Sequence, residues 1–429
     1  MPTLSIELVL SGLLALGAGL IFVAVVRRSP RAGIALWLLT VAFVPIWVSI
    51  TVVISLPMAN LVGVAVAVSL WSRRVPRWGV ADLLVLFLFI SALAPLAIGR
   101  LSAPSAFGVL LVWVTGYALG RLAPSQVGES WLYGCVAVIF SIVGVLALVE
   151  FLTGWHGLSS WGPANAAKAT WSPIQGRGGL ERAEGAFGHS IALGSSLAAT
   201  MVVTLQSRFR PAIRLAMVAV MLGGTVVALS RTGLICALMG LVLAVLFLGR
   251  SLERKVRLGL GVVIAGGAVA VLPFLSDVFS TAGTEATGSA SYRGNLLSLL
   301  RYVDILGTSE SMRRTVTGEL SFAGFKSIDS QLILFALSYG WMTLVWVMVL
   351  LGLAVVAVVA GRPQAPMVAA VAQIPALMTV ALITQYALLF WFVVGLAVAT
   401  QSRDASSRIT TTANLDRGRD SNLEGTLGR

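Results

Sequence analysis

Apolar segments of membrane-spanning length recur along the chain from Ile6 to Ala399. A helix needs about 20 apolar residues to cross roughly 30 Å of hydrocarbon. Hydrophobic residues make up 58% and charged residues only 11% of the 429 residues, whereas a soluble domain carries about 25% charged residues. The chain is too apolar to present a soluble surface, and we predict an all-α polytopic integral membrane protein.

The apolar segments predict twelve or thirteen spans, which form one transmembrane domain over residues 1–400. The least regular stretch is 33–70, because Pro45 and Pro57 interrupt it and proline breaks or kinks a helix. The predicted spans are 6–26, 33–50, 54–70, 80–98, 105–120, 131–153, 186–206, 212–229, 232–249, 257–275, 331–360, 366–382 and 385–400.

Basic residues decide the predicted orientation. The formal net charge is +13, but half of the 30 arginines and lysines lie in short turns at one end of the spans, as Arg27, Arg28 and Arg31 do. Short basic turns mark the cytoplasmic side of a membrane, so this charge indicates topology rather than nucleic-acid binding. We expect an outer amino terminus, an uncleaved first span and a disordered cytoplasmic tail at 401–429.

Two long connections fall on the predicted outer side, at about residues 154–185 and 276–328. Loops longer than about 15 residues are usually functional or disordered. Within the second loop, Asn295–Ile305 is predicted to form an amphipathic helix at the membrane interface. The charged and aromatic residues of the two loops are Trp155, His156, Trp161, Trp171, Arg177, Glu181, Arg182, Glu184, Tyr292, Arg293, Arg301, Tyr302, Asp304, Arg313, Arg314 and Lys326.

Arg231 lies in the tight turn between two spans, in the sequence Ser-Arg-Thr-Gly at 230–233. An arginine at the edge of the hydrocarbon is costly unless it snorkels to water or pairs with an anion. Both readings fit the sequence. The positive-inside rule disfavours arginine on the outer side, and this favours a functional residue.

A second cluster, Arg-Ala-Glu-Gly-Ala-Phe-Gly-His at 182–189, leads from the first long loop into a span. Gly185 and Gly188 permit tight backbone geometry there. His189 is either an acid/base group or an ordinary interfacial histidine.

Asp329 opens the span that follows the second long loop. A carboxylate at this position is either a helix cap or a group that accepts a proton from a sugar hydroxyl. Arginines of the preceding loop, among them Arg293 and Arg301, suit an anionic or glycan ligand because the guanidinium pairs with phosphate oxygens at a fixed charge.

In this order the three clusters resemble the O-antigen ligase and Wzy-type polymerase superfamily of bacterial cell-surface glycan assembly. The ordered set, with a large outer loop between the second and third motifs, covers about residues 154–353. The matching residues are Arg182, Gly185, Phe187, Gly188, His189 and Gly194, then Ser230, Arg231, Thr232 and Gly233, then Asp329, Ser330, Leu332, Tyr339 and Gly340.

The resemblance implies a membrane glycosyltransferase that uses a glycan on polyprenyl pyrophosphate at the outer face of the cytoplasmic membrane. It implies no metal or other cofactor, because pyrophosphate is already a good leaving group. Expected partners are membrane lipid, a flippase and a chain-length regulator, without nucleic acid. The implied roles are pyrophosphate and glycan binding for Arg182 and Arg231, assisted by Arg177, Arg293 or Arg301, and deprotonation of the acceptor hydroxyl by Asp329, with His189 in reserve.

Two alternatives remain at this point. Ligases of the superfamily usually carry a histidine where the second loop meets the span, and Asp329 in this region favours a polymerase. A transporter or flippase also fits many spans with outer arginines, but transporters tend to place charges near the midplane on broken helices. Here the spans are nearly free of charge, with Asp82 and Glu150 near span ends as exceptions.

Overall fold

The computed structural model describes residues 19–51, 55–71, 78–249, 252–281, 296–314, 320–325, 327–361 and 363–401, with Gly17 and Pro76. This part of the chain is mostly helical and has few strands. Arg293, Lys326 and residues 402–429 lie outside the described residues, as does most of the predicted first span.

The helices are α1 (19–28), α2 (Pro30–Phe43), α3 (Met58–Trp71), α4 (Val80–Leu93), α5 (Ala103–Val127), α6 (Glu129–Thr153), α7 (Ser190–Thr204), α8 (Pro211–Val227), α9 (Arg231–Phe247), α10 (Arg254–Thr281), α11 (Gln331–Tyr339), α12 (Trp341–Ala360), α13 (Ala365–Val371), α14 (Ile374–Thr379) and α15 (Thr384–Gln401). Helix α5 contains a π-helical turn at Val109–Val114. Short helices lie at Gly157–Ser160 and Ala166–Trp171, and 3₁₀ turns at Ala94–Leu96, Gly185–Phe187 and Leu297–Tyr302.

Three two-stranded antiparallel hairpins complete the described fold. They pair β1 (Ser49–Thr51) with β2 (Ser55–Pro57), β3 (Gly176–Arg177) with β4 (Leu180–Glu181), and β5 (Met312–Arg314) with β6 (Leu320–Phe322).

Four helices among the described residues, α5, α6, α12 and α15, are long and apolar enough to cross a membrane. Shorter apolar helices of 10–17 residues make up much of the remainder. The chain therefore has the helices of an all-α membrane protein, as the sequence predicts. The number of spans and the side on which each loop lies stay predictions.

The predicted span 33–50 ends early, at Phe43. Val44 has an extended backbone (φ −99°, ψ 114°), because the ring of Pro45 disfavours the helical conformation in the residue before it. The chain then forms the β1–β2 hairpin before α3 begins. The two prolines that made this stretch irregular in sequence therefore mark a real interruption.

The predicted single span 331–360 is wrong, because the helix breaks at Gly340. This glycine has φ 94°, and a Cβ there would lie 2.6 Å from the carbonyl oxygen of Ile305. The second long loop packs into the break, where the backbone N–H of Trp341 donates to the carbonyl of Asp304 at 2.8 Å. The predicted span is thus divided into the short helix α11 and the long helix α12.

The predicted span 366–382 is also divided. Helix α13 ends at Val371, α14 ends at Thr379, and residues 380–383 are not helical. The predicted interfacial helix at Asn295–Ile305 is present only as a 3₁₀ turn at Leu297–Tyr302. Its apolar side does pack inward, because Leu296 and Leu299 join a small core.

One face of the fold, here called the loop face, is formed by residues 44–51, 55–57, 154–189 and 228–231, which contact one another. Trp47 is fully buried within it, and its indole N–H donates to the carbonyl of Trp161 at 2.6 Å. The Asn165 side chain donates to the carbonyl of Trp47 at 2.8 Å. These contacts fix the first long loop to the α2–α3 connection.

A buried ion pair lies near the opposite end, between the first turn of α4 and α5. The Arg121 guanidinium donates to both carboxylate oxygens of Asp82, at 2.6 and 2.9 Å. The Tyr117 hydroxyl and the Gly79 backbone N–H donate to the same carboxylate at 2.7 and 2.8 Å. Four donors offset the cost of burying this charge.

Helices α5 and α15 cross at glycines. A Cβ on Gly120 would lie 2.0 Å from the carbonyl oxygen of Phe392, and one on Gly395 would lie 2.2 Å from that of Tyr117. Gly116 and Gly120 are four residues apart, the spacing that lets membrane helices approach closely.

We expect Gly120→Ala to lower the melting temperature of the purified protein, because the added methyl group must push the two helices apart. Overpacking of this kind costs about 1–3 kcal/mol or more. Gly352→Ala is the matched control, since a Cβ on Gly352 of α12 meets nothing within 4 Å. Equal melting temperatures for the two variants would contradict the close crossing.

Candidate functional site

The turn between α8 and α9 presents Arg231 on the loop face. Helix α8 ends at Val227, and Leu229 has a left-handed backbone with φ 48°. Ser230 is the N-cap of α9, and its hydroxyl oxygen accepts from the backbone N–H of Gly233 at 3.1 Å. Arg231 is the first helical residue and is exposed. The turn therefore combines a guanidinium with a helix amino terminus.

Two arginines of the first long loop hold this turn. Arg177 donates from Nη1 to the carbonyl of Leu229 at 3.0 Å, and Arg182 donates from Nε to the carbonyl of Ala228 at 3.1 Å. Arg182 is 5% exposed and also donates to the side-chain oxygen of Gln175 at 3.1 Å. The structure thus places Arg177 and Arg182 against the backbone of the turn that carries Arg231, in contacts that fix this turn.

The first and second sequence motifs pack directly on each other through glycines. A Cβ on Gly233 would lie 3.0 Å from the carbonyl carbon of Gly194 and 3.4 Å from the backbone nitrogen of Ser195. The amino-terminal halves of α7 and α9 can therefore approach at backbone distance. Sequence order alone did not show this contact.

His189 is the N-cap of α7. Its Nδ1 accepts from the backbone N–H of Ile191 at 3.2 Å, and its ring lies edge-on to Trp171. The ring therefore has a structural role at the start of α7.

Asp329 lies two residues before α11 and is not the cap of this helix. Ser330 is the N-cap, with its hydroxyl oxygen accepting from the backbone N–H of Ile333 at 3.4 Å. The Asp329 carboxylate accepts from the Ser327 hydroxyl at 2.8 Å and is partly exposed. A capping role therefore belongs to Ser330, which leaves the Asp329 carboxylate for other contacts.

The segment 379–382 connects the Asp329 region to the Arg231 turn. The backbone N–H of Gln331 donates to the carbonyl of Val380 at 3.0 Å, and the N–H of Leu382 donates to the Gln331 side chain at 2.6 Å. The hydroxyls of Thr379 and Thr232 lie 3.2 Å apart. The amino termini of α9 and α11 therefore meet the same break after α14.

Of the two other arginines predicted to assist, the structure describes one. Arg301 is exposed, and its guanidinium lies over the ring of Tyr302, 4.7 Å from its centroid. Arg293 lies outside the described residues.

Sequence reasoning missed a cluster of acids and one histidine beneath the first long loop. His156 lies between two carboxylates, with Nδ1 2.7 Å from Glu150 and Nε2 3.0 Å from Glu181. Glu184 is 1% exposed, and its Oε1 accepts from the backbone N–H of Gln175 at 3.2 Å. The available signal was Glu150, a charge within an otherwise apolar span.

Burial raises the pKa of Glu184 to about 7, although the Gln175 hydrogen bond and the Arg182 charge act in the opposite direction. The folded state therefore keeps a proton that the unfolded chain releases near its ordinary value of 4.5. The associated stability is complete below pH 4.5 and is lost as the pH rises to about 7.

We expect Glu184→Gln to flatten the dependence of melting temperature on pH between 5 and 8, since the amide has no proton to lose. The wild type should lose stability on the order of 3 kcal/mol from this group over its titration range. Glu310→Gln, at an exposed acid of the second long loop, should keep the wild-type slope. Identical slopes in all three proteins would contradict the assignment.

Comparison of the chain with protein-family models, with curated proteins and with solved structures gives no match.

Proposed function

We propose that this protein is a membrane glycosyltransferase that joins oligosaccharide units carried on polyprenyl pyrophosphate. The donor and acceptor meet at the loop face, which we place on the outer side of the cytoplasmic membrane. The proposal combines the ordered sequence motifs with one structural observation: Arg231 opens α9 on a turn held by Arg177 and Arg182.

This turn has the chemistry of an anion site. The unpaired N–H groups at a helix amino terminus carry a partial positive charge and favour phosphate. An exposed guanidinium at the same position adds a full charge and two parallel donors. Arg182 is buried, and its guanidinium donates to the carbonyl of Ala228 and to the side chain of Gln175, so in the proposal it shapes the site while Arg231 contacts the pyrophosphate.

Asp329 is the proposed proton acceptor. An acceptor sugar hydroxyl attacks the anomeric carbon of the donor as the bond from this carbon to the pyrophosphate oxygen breaks. The bonding electrons leave with the pyrophosphate, the hydroxyl proton passes to the Asp329 carboxylate, and the anomeric centre inverts. Both side chains are half-buried, but Nδ1 of His189 already accepts from the backbone N–H of Ile191 as the cap of α7. This comparison favours Asp329 over His189.

We expect Arg231→Ala to reduce polymer formation in cells by about 10²–10³-fold, the usual effect of removing one group that stabilises developing charge. Asp329→Asn should give a similar loss. Arg254→Ala is the matched control, because Arg254 is also exposed and also opens a helix, α10, away from the loop face. Normal chain length in Arg231→Ala and Asp329→Asn protein that inserts and accumulates would overturn the proposal.

A transporter or flippase is the second candidate, and two observations favour it. The broken segments α11–α12 and α13–α14 are of the kind that transporters use around a substrate. The Asp82–Arg121 pair also shows that the spans bury more charge than their sequence indicated.

The two functions differ in where lipid-linked units accumulate. Loss of a polymerase leaves single units exposed at the outer leaflet, where an added glycosidase or lectin reaches them in intact cells. Loss of a flippase leaves the units inside. If Arg231→Ala cells accumulate units at the inner leaflet, where the added glycosidase or lectin does not reach them, the transporter replaces the glycosyltransferase as the proposed function.

A further inference from the structure

Glu150 is a buried carboxylate at the end of a membrane-spanning helix that the proposed reaction does not use. It lies in the last turn of α6 and is 6% exposed. A charge buried in this position is costly unless donors surround it.

Both carboxylate oxygens of Glu150 accept hydrogen bonds from the first long loop. Oε1 lies 2.7 Å from His156 Nδ1 and accepts from the backbone N–H of Glu184 at 3.1 Å. Oε2 accepts from the backbone N–H of Gly185 at 2.9 Å. The donors come from the beginning and the end of this loop, so one side chain holds both of its ends.

The same contacts continue to the Arg231 turn. Glu184 accepts from the backbone of Gln175, and Gln175 in turn accepts from the backbone N–H and the guanidinium of Arg182. Arg182 then donates to the carbonyl of Ala228, and the backbone N–H of Ala183 donates to the carbonyl of Val227 at 3.2 Å. A continuous series of hydrogen bonds therefore leads from α6 to the turn.

We propose that Glu150 is a positioning residue for the Arg231 site: its carboxylate fixes the first long loop to α6 and thereby sets the geometry of the turn that carries Arg231. The catalytic consequence rests on the proposed function, whereas the structural coupling does not.

A carboxylate is required here because its two oxygens accept from different backbone N–H groups, Oε1 from Glu184 and Oε2 from Gly185. Glutamine has nearly the same shape but only one acceptor oxygen, and its amide N–H₂ would face a donor. Glu150→Gln therefore tests the hydrogen bonds with little change in volume. Asp82→Asn is the matched control, since Asp82 is equally buried and accepts four donors, but its partners are Gly79, Tyr117 and Arg121.

The first measurement is amide hydrogen exchange of the full-length protein in lipid nanodiscs. We expect Glu150→Gln to speed exchange about tenfold or more in residues 175–185 and 227–233, and Asp82→Asn to leave exchange in these two segments unchanged. The proposal is overturned if Glu150→Gln leaves the 227–233 amides unchanged, or if Asp82→Asn speeds them equally.

The second measurement uses inorganic pyrophosphate as the probe, read as a ligand-dependent rise in melting temperature. We expect Glu150→Gln to weaken pyrophosphate binding about tenfold and Asp82→Asn to leave it unchanged. If Glu150→Gln speeds amide exchange but binds pyrophosphate as the wild type does, Glu150 is coupled to the turn but does not set the geometry of the Arg231 site. If the wild type shows no pyrophosphate binding, the proposed function fails and the exchange result alone decides the coupling.

Glu181→Gln is a second, milder variant that tests the same series of contacts if Glu150→Gln does not fold. Its side chain is largely exposed, and it meets the cluster only through His156. Faster exchange confined to residues 155–185 supports the series of contacts, and unchanged exchange throughout this segment contradicts it.

Discussion

Backbone N–H and C=O groups inside a bilayer need hydrogen-bond partners within the protein, because hydrocarbon offers none. Each break in the helices of this protein meets that requirement with specific groups. Arg177 and Arg182 donate to carbonyls of the 228–230 turn. In the segment after α14, the carbonyl of Val380 accepts from the backbone N–H of Gln331, and the N–H of Leu382 donates to the Gln331 side chain. The broken helices can exist at the loop face because these partners are present.

The side chains that bond to the backbone groups at these breaks also build the candidate site. The left-handed conformation of Leu229 places Ser230 as the cap and Arg231 as the exposed first residue of α9. Breaking the chain at Gly340 lets the second long loop pack against α11, whose first turn follows Asp329. Members of one arginine cluster therefore differ in their surroundings: Arg182 is buried and orders the backbone of the turn, whereas Arg231 is exposed.

Buried charge is handled in the same way at both ends of the fold. Asp82 is surrounded by a guanidinium, a hydroxyl and a backbone N–H, and Glu150 by an imidazole and two backbone N–H groups. In each case the cost of removing the carboxylate from water is offset only by a complete set of donors. A carboxylate bound in this way restricts the elements around it, since moving any donor leaves charge unsatisfied. Glu184 is the exception, because burial favours its protonated form.

Composition and local pattern are enough to predict the membrane class, the two long loops, the proline-induced interruption near Pro45 and the order of the three motifs. These features are local or compositional: span length, charge and glycine or proline content are readable within about 20 residues. The sequence also singled out Arg182, Arg231 and Asp329 as candidate site residues, although not the contacts that each of them makes.

Only the tertiary structure decided what each of these residues touches. The break at Gly340 depends on the approach of Ile305. The guanidinium of Arg182 bonds to the carbonyl of Ala228, 46 residues later in the chain. The surroundings of Glu150 depend on a loop that returns to α6. Such contacts join segments far apart in sequence, and no local pattern encodes which donor meets which acceptor. Chain composition indicates a membrane protein, while packing between distant segments separates the buried arginine of the turn, Arg182, from the exposed one, Arg231.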